Sequence, residues 1–198
     1  MHLKRKKALI TGGAKRLGYY TALALARQGA DIILHYNNSV EAAENTMKEI
    51  ESFGSEVKLV QENFEQLKDY RGFLKEVEKT AGSIDILINS ASIFERDKID
   101  EASSHSLDRN LTINAYAPFL LTQALYKMRV ERQGGSSSLG AAAVVNFLDT
   151  CISMDDASHF SYHASKRLFY TFTKQAALKF APHVRVNGIA PGLILPPE

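Results

Sequence analysis

Tyr162 and Lys166 are the residues whose types and spacing most directly propose chemistry in this chain. They lie four positions apart on a predicted helix over 161–180, so both fall on one helix face, where an ammonium beside a phenol favours the ionised form. An ordinary phenol pKa of about 10 is too high for efficient proton exchange at neutral pH, and a neighbouring cation corrects that. The same pair taken alone also fits a plain surface contact. Its place in the chain weighs against that, because a predicted strand over 141–147 and then Asp149 precede it, with Asp149 thirteen residues before Tyr162.

A second stretch proposes a ligand. Thr11-Gly12-Gly13-Ala14-Lys15-Arg16-Leu17-Gly18 lies between the apolar run Ala8-Leu9-Ile10 and an Ala/Leu-rich segment over 19–28, and reads as strand, turn, helix. Glycines there let the backbone turn tightly and approach a pyrophosphate, whose charge meets backbone N–H groups and the positive end of a helix dipole. An ordinary strand-to-helix turn fits the same residues. The next predicted strand, 31–36, ends in His35-Tyr36-Asn37-Asn38-Ser39 with no acidic residue. A carboxylate at that place would hold the ribose hydroxyls of NAD and repel a 2′-phosphate. Hydroxyl and amide donors, with Lys15 or Arg16 from the neighbouring turn, suit NADPH. Asn37, Asn38 and Ser39 also read as a turn and cap for the following helix.

These residues need a scaffold, and the rest of the chain reads as one. A helix over 40–53 stops at Gly54, a strand covers 56–60, and the loop Gln61-Glu62-Asn63-Phe64 leads into a helix over 67–80 ended by Gly82. The buried strand 84–88 finishes in Asn89-Ser90-Ala91-Ser92, small residues that let a flat cofactor lie across the strand ends. A helix over 107–130 contains Asn114 and Pro118, so a proline kink is expected. The Gly-Gly-Ser-Ser-Ser run within 133–140 reads as a surface loop, because the strand–helix rhythm continues on both sides.

Composition bounds the remaining possibilities. With 198 residues and 45% apolar content, the chain is expected to form one domain, 1–198. A net charge of +2 singles out no partner, and Lys4-Arg5-Lys6-Lys7 reads as a solvated lead-in to the first strand, not a nucleic-acid patch. Cys151 stands alone, which excludes an intrachain disulfide, and no zinc-type spacing or metal cluster is present. No long apolar run or signal-peptide core occurs, so the expectation is a soluble cytoplasmic protein without membrane or nucleic-acid partners.

In order along the chain, Thr11-Gly12 with Gly18, Asn89-Ser90-Ala91, Asn114, Tyr162 with Lys166, and Arg185-Val186-Asn187-Gly188-Ile189-Ala190-Pro191-Gly192 resemble the short-chain dehydrogenase/reductase family over essentially the whole sequence. The resemblance implies an α/β fold of Rossmann type, a doubly wound parallel sheet of order 3-2-1-4-5-6. It implies catalytic roles for Tyr162 as proton donor, Lys166 as the group that lowers its pKa and holds the nicotinamide ribose, and Asn114 as support for a water relay. It also implies cofactor contacts from Gly12, Lys15, Arg16, Leu17 and Gly18, from His35, Tyr36, Asn37, Asn38 and Ser39, and from Asn63 and Phe64. Asn89, Ala91 and Ser92 follow, with Tyr162, Lys166, Pro191 and Gly192 at the nicotinamide end.

Three departures narrow the resemblance to the pteridine reductases. Arg16 stands at the middle glycine position, Asp149 where most members carry serine, and Phe94 follows Asn89-Ser90-Ala91-Ser92-Ile93. In that subgroup the arginine reaches pyrophosphate and pterin, the phenylalanine sandwiches the pterin, and the aspartate works with the tyrosine in protonation. The substrate contacts implied are therefore Arg16, Ser92, Phe94, Asp149 and Tyr162. A pterin is flat and polar with basic ring nitrogens, so a stacking ring, a cationic donor and a proton source match it. The implied activity is NADPH-dependent reduction of a pterin or dihydrofolate-like ring by a homodimer or homotetramer. The alternatives are a carbonyl reductase acting on a substrate such as a 3-oxoacyl thioester, and a nucleotide-binding sensor without turnover. Related chains continue past the Pro-Gly turn, whereas this sequence stops at Glu198, so a seventh strand is expected to be missing.

Overall fold

The computed structural model describes residues 3–133, 140–154, 157–192 and 194; the glycine/serine run read as a surface loop lies outside these residues. Six parallel strands form one sheet: β1 (Lys7–Thr11), β2 (Asp31–Tyr36), β3 (Val57–Gln61), β4 (Ile86–Asn89), β5 (Ala142–Phe147) and β6 (Val184–Ile189). Their order is β3-β2-β1-β4-β5-β6, as expected. The helices are α1 (Arg16–Arg27), α2 (Val40–Glu51), α3 (Tyr70–Ala81), α4 (Ser104–Leu111), α5 (Ala117–Gln133) and α6 (Phe160–Phe180).

The inner strands read as unbroken apolar runs because both of their faces are covered. Ala8, Ile10, Ile32 and Leu34 pack with Ala22, Leu23 and Ala26 of α1 and Ala43 and Ile50 of α2. Leu9, Ile33, Leu87 and Val144 point the other way, into Leu74 and Val77 of α3, Leu121 and Leu125 of α5, and Ala176 and Phe180 of α6. Each fully buried Leu or Ile contributes about 1.5–3 kcal/mol, which outweighs the strand's indifference between partners and sets the register. Strand order reverses between β2 and β4 on either side of β1, and Thr11 pairs with Asn89 across the β1–β4 ladder. A crevice therefore opens beyond the carboxyl ends of β1 and β4.

Three differences from the sequence expectation bear on the site. Helix α1 begins at Arg16, not Tyr19, so Gly18 lies inside its first turn. Helix α3 begins at Tyr70, not residue 67, because the Asp69 side chain caps it by accepting from the Gly72 N–H at 2.8 Å. The expected proline kink is a π-helical turn over Thr112–Tyr116, centred on Asn114 and joining α4 to α5. Pro118 follows it at the second position of α5, where a missing N–H costs little. Such π turns widen the helix locally and swing side chains off the regular face.

The basic lead-in is paired: Lys6 meets Asp85 at 3.1 Å and Lys7 meets Asp31 at 3.4 Å. Among the described residues no helix is long and apolar enough to cross a membrane.

Candidate active site

The glycine-rich turn is held shut by close approaches. A Cβ on Gly18 would stand 2.1 Å from the Gly12 carbonyl oxygen, and one on Gly12, whose φ is +63°, would stand 2.8 Å from the Ala91 Cα. Both positions therefore require glycine. Thr11 ties the turn to the loop after β4, its Oγ1 accepting from the Ser90 and Ala91 N–H groups at 3.0 and 3.1 Å. Helix α1 has no side-chain cap and no acidic residue in its first turn. Its first N–H groups, those of Leu17 and Gly18 among them, have no acceptor inside the helix, and Lys15 and Arg16 are exposed beside them. An uncapped, acid-free helix start behind a glycine turn is suited to an anion.

At the end of β2, Asn37 and Asn38 are exposed and Tyr36 and Ser39 half-buried. Ser39 takes the N-cap position of α2 yet makes no side-chain capping bond, which corrects its reading as a cap. Three side chains expected at the cofactor, those of His35, Phe64 and Asn89, are turned into the interior. His35 is buried, and its ring stacks on Phe64 with centroids 4.1 Å apart, so both side chains belong to the interior, where apolar and aromatic contact outweighs exposure. Asn89 is also buried, and its amide donates to the Pro118 carbonyl, Thr122 Oγ1 and Asn146 Oδ1, at 3.3, 3.2 and 2.8 Å. It joins β4 to α5 and β5; its buried Oδ1 has no partner. Asn63 turns its Oδ1 to the Glu65 N–H at 3.0 Å, closing the loop after β3.

The proposed proton-transfer residues meet at the ends of β5 and α6. The Tyr162 hydroxyl donates to Asp149 Oδ2 at 2.7 Å. Asp149 Oδ1 accepts from the Cys151 N–H at 2.9 Å, which fixes the carboxylate as the cap of a short 3-10 turn over Thr150–Ile152. Lys166 is buried, and its ammonium donates to the Phe147 carbonyl at 3.0 Å while lying 5.6 Å from the Tyr162 ring centroid. Burial lowers the Lys166 pKa to about 8, opposed by the charge of Asp149. The Tyr162 phenol moves upward from its ordinary range, first through burial and then through Asp149. That is opposite to the expected direction: burial first, and then the acceptor 2.7 Å away, favour the protonated phenol. Burial, then Asp149, likewise pushes the Cys151 thiol up to about 12, so it is no nucleophile.

Phe94 stands beside this centre, 63% exposed, edge-on to Tyr162 at 4.7 Å and stacked on His159 at 4.1 Å. The segment that carries it is clamped twice. Asp97 accepts from the Ser161 N–H and hydroxyl at the start of α6, the former at 3.0 Å, and from the Ser106 hydroxyl at 3.1 Å. Asn114 accepts from the Ile93 N–H and the Ser92 hydroxyl at 2.9 and 3.0 Å, and donates to the Ile93 carbonyl and Ser165 Oγ at 3.0 and 3.1 Å. Its side chain is therefore saturated by protein partners. Pro191 and Gly192 close the other side, the Pro191 carbonyl accepting from the Thr150 N–H at 3.3 Å. Asp97, His159 and Ser165 escaped the sequence reading, and Thr11 figured there only as the opening of the glycine motif.

The model of the short chain dehydrogenase family matches residues 6–197. The chain belongs to that family. Among its relatives, galactitol 2-dehydrogenase of Agrobacterium fabrum is 30% identical over 195 residues, covering 98% of this chain and 72% of that one. The 3-oxoacyl-acyl-carrier-protein reductase FabG of Staphylococcus epidermidis is 28% identical, over 96% of this chain and 75% of its own. Among solved structures, FolM alternative dihydrofolate reductase 1 from Brucella canis, complexed with NADP, superposes with a TM-score of 0.85 at 31% identity, covering all of this chain and 77% of that one. As a short-chain dehydrogenase, the chain is an oxidoreductase whose sheet and helices follow the family arrangement.

Proposed function

We propose that this short-chain dehydrogenase is an NADPH-dependent reductase of a pterin or dihydrofolate-like ring. The observation that carries the substrate is the trio around one cleft: a phenol hydrogen-bonded to a carboxylate, with an exposed aromatic face against it. Tyr162 with Asp149 supplies a proton, and Phe94 supplies a stacking surface for a flat heteroaromatic ring. The kinship with the FolM structures, which hold NADP, supports both the substrate class and the cofactor.

The residues present fit the cofactor. The glycine turn and the uncapped start of α1 take the pyrophosphate, and Tyr36, Asn37, Asn38 and Ser39 take the 2′-phosphate side, with no carboxylate to repel it. Pro191 and Gly192 would border the nicotinamide, and Lys166 would hold its ribose. When bound, NADPH supplies the hydride. Tyr162 gives its hydroxyl proton to the ring nitrogen of a C=N bond as the adjacent carbon gains the hydride, so the bond becomes CH–NH. Asp149 holds that proton in place beforehand, and Lys166 stabilises the phenolate left behind. Arg16 donates to the polar edge of the ring, and Ser92 borders the same cleft.

A carbonyl reductase is the second reading, favoured by the kinship with a 3-oxoacyl-acyl-carrier-protein reductase. A serine suits a ketone oxygen better than Asp149 does, which favours the pterin. Matched rates with NADPH for dihydropterin, folate and a 3-oxoacyl thioester decide between the two. Pterin turnover is expected, Phe94→Ala weakening pterin binding by about 1–3 kcal/mol, in line with base stacking on aromatic rings. Asp149→Ser is expected to slow the pterin more than a ketone. Thioester reduction without pterin activity would overturn the substrate assignment.

Cofactor choice gives an independent expectation. Asn38→Asp places a carboxylate beside the 2′-phosphate, so it is expected to reverse a preference for NADPH over NADH. Fluorescence titration of both nucleotides checks this, and tighter NADH binding by the unaltered protein would sink it.

A further inference from the structure

We infer that His35 is a positioning residue that braces the glycine-rich turn against the loop after β3 and so places the dinucleotide without touching it. The Gly12 N–H donates to His35 Nδ1 at 3.2 Å, and His35 Nε2 lies 3.1 Å from the Glu62 carbonyl oxygen. The main-chain carbonyl of the same residue accepts from the Gly13 N–H at 2.9 Å. The ring is held flat by Phe64, 4.1 Å away at an interplanar angle of 7°, and edge-on by Phe73 at 6.4 Å. One buried side chain thus spans the turn after β1, the end of β2 and the loop after β3.

The partners dictate its protonation. An amide N–H only donates and a carbonyl only accepts, so Nδ1 carries the lone pair and Nε2 the hydrogen. Burial lowers the imidazole's pKa to about 4, which keeps this neutral form at physiological pH. A consequence follows for the anion site. The Gly12 and Gly13 N–H groups are committed to His35, so the backbone donors for a pyrophosphate lie beyond them, those of Leu17 and Gly18 in the first turn of α1 included. This rests on the assignment of the turn to NADPH, whereas the brace itself stands on the geometry alone.

His35→Phe keeps a ring against Phe64 and removes both nitrogens. The variant is expected to bind NADPH about tenfold more weakly, the scale of one lost hydrogen bond, with kcat at saturating NADPH nearly unchanged. His35→Gln, whose amide offers one acceptor and one donor, is expected to recover part of that affinity; a merely space-filling role would not distinguish the two variants. Unaltered NADPH affinity in folded His35→Phe would overturn the inference. Nitrogen-15 histidine spectra of the unaltered protein test it without any substitution: the Nε2–H tautomer is expected, and an Nδ1–H tautomer would overturn it. If the unaltered protein failed to bind NADPH, the cofactor assignment would fall, and the tautomer would still decide the brace.

Discussion

Tyr162→Phe is expected to lower turnover by about 10²–10⁴-fold, the usual contribution of a positioned general acid, while NADPH binding stays nearly intact. The hydroxyl is the only group removed, and its hydrogen bond runs to Asp149 at 2.7 Å. The ring remains between Phe94 and the body of α6, so little contact area is lost. Asp149 keeps its bond from the Cys151 N–H and is half-buried, so water can reach the freed oxygen. The fold is therefore expected to survive, which makes the loss of rate attributable to the proton. Stopped-flow oxidation of NADPH alongside an equilibrium titration separates the two parameters, and near-normal turnover would remove Tyr162 from its role as donor.

Asn114→Ala is expected to have the largest effect on stability, a loss of about 2–4 kcal/mol, since each buried polar group left unpaired costs about 1–3 kcal/mol. The side chain is 1% exposed and serves the main chain of Ile93 at both its N–H and its carbonyl. It also holds Ser165, one turn from Tyr162 on α6, and its α4 neighbour Asn110. Truncation leaves those groups facing a void and frees the segment that carries Phe94. Turnover is expected to fall together with stability. Asn114→Asp is not expected to rescue, because it keeps the acceptor, loses the donors and buries a charge. Urea unfolding reads the first effect, and a loss below about 0.5 kcal/mol would contradict the assigned role.

Other properties of the site follow from competition between burial and charge. Lys166 is expected to pull the phenol down, yet burial of the ring and the Asp149 carboxylate against its hydroxyl act the other way. Helix spacing places two side chains on one face; it does not say which third group approaches them. Asp149 comes from a different strand end, and its distance from Tyr162 depends on how α6 packs over β5.

The amino-acid sequence by itself determined the alternating strands and helices, the glycine turn and the pairing of Tyr162 with Lys166 on one helix, while the strand order came from the family resemblance. Those features rest on local rules: apolar runs bury on both faces, glycine is favoured at a φ such as the +63° of Gly12, and residues four apart share a helix face. Only the tertiary structure decided what each polar side chain does. His35, Asn89 and Asn114 each read as cofactor or relay residues, and each is turned inward to close hydrogen bonds between separate elements. The cost of leaving a buried donor or acceptor unpaired governs that choice, and the partners concerned lie far away along the chain, in segments that meet only once the sheet has formed.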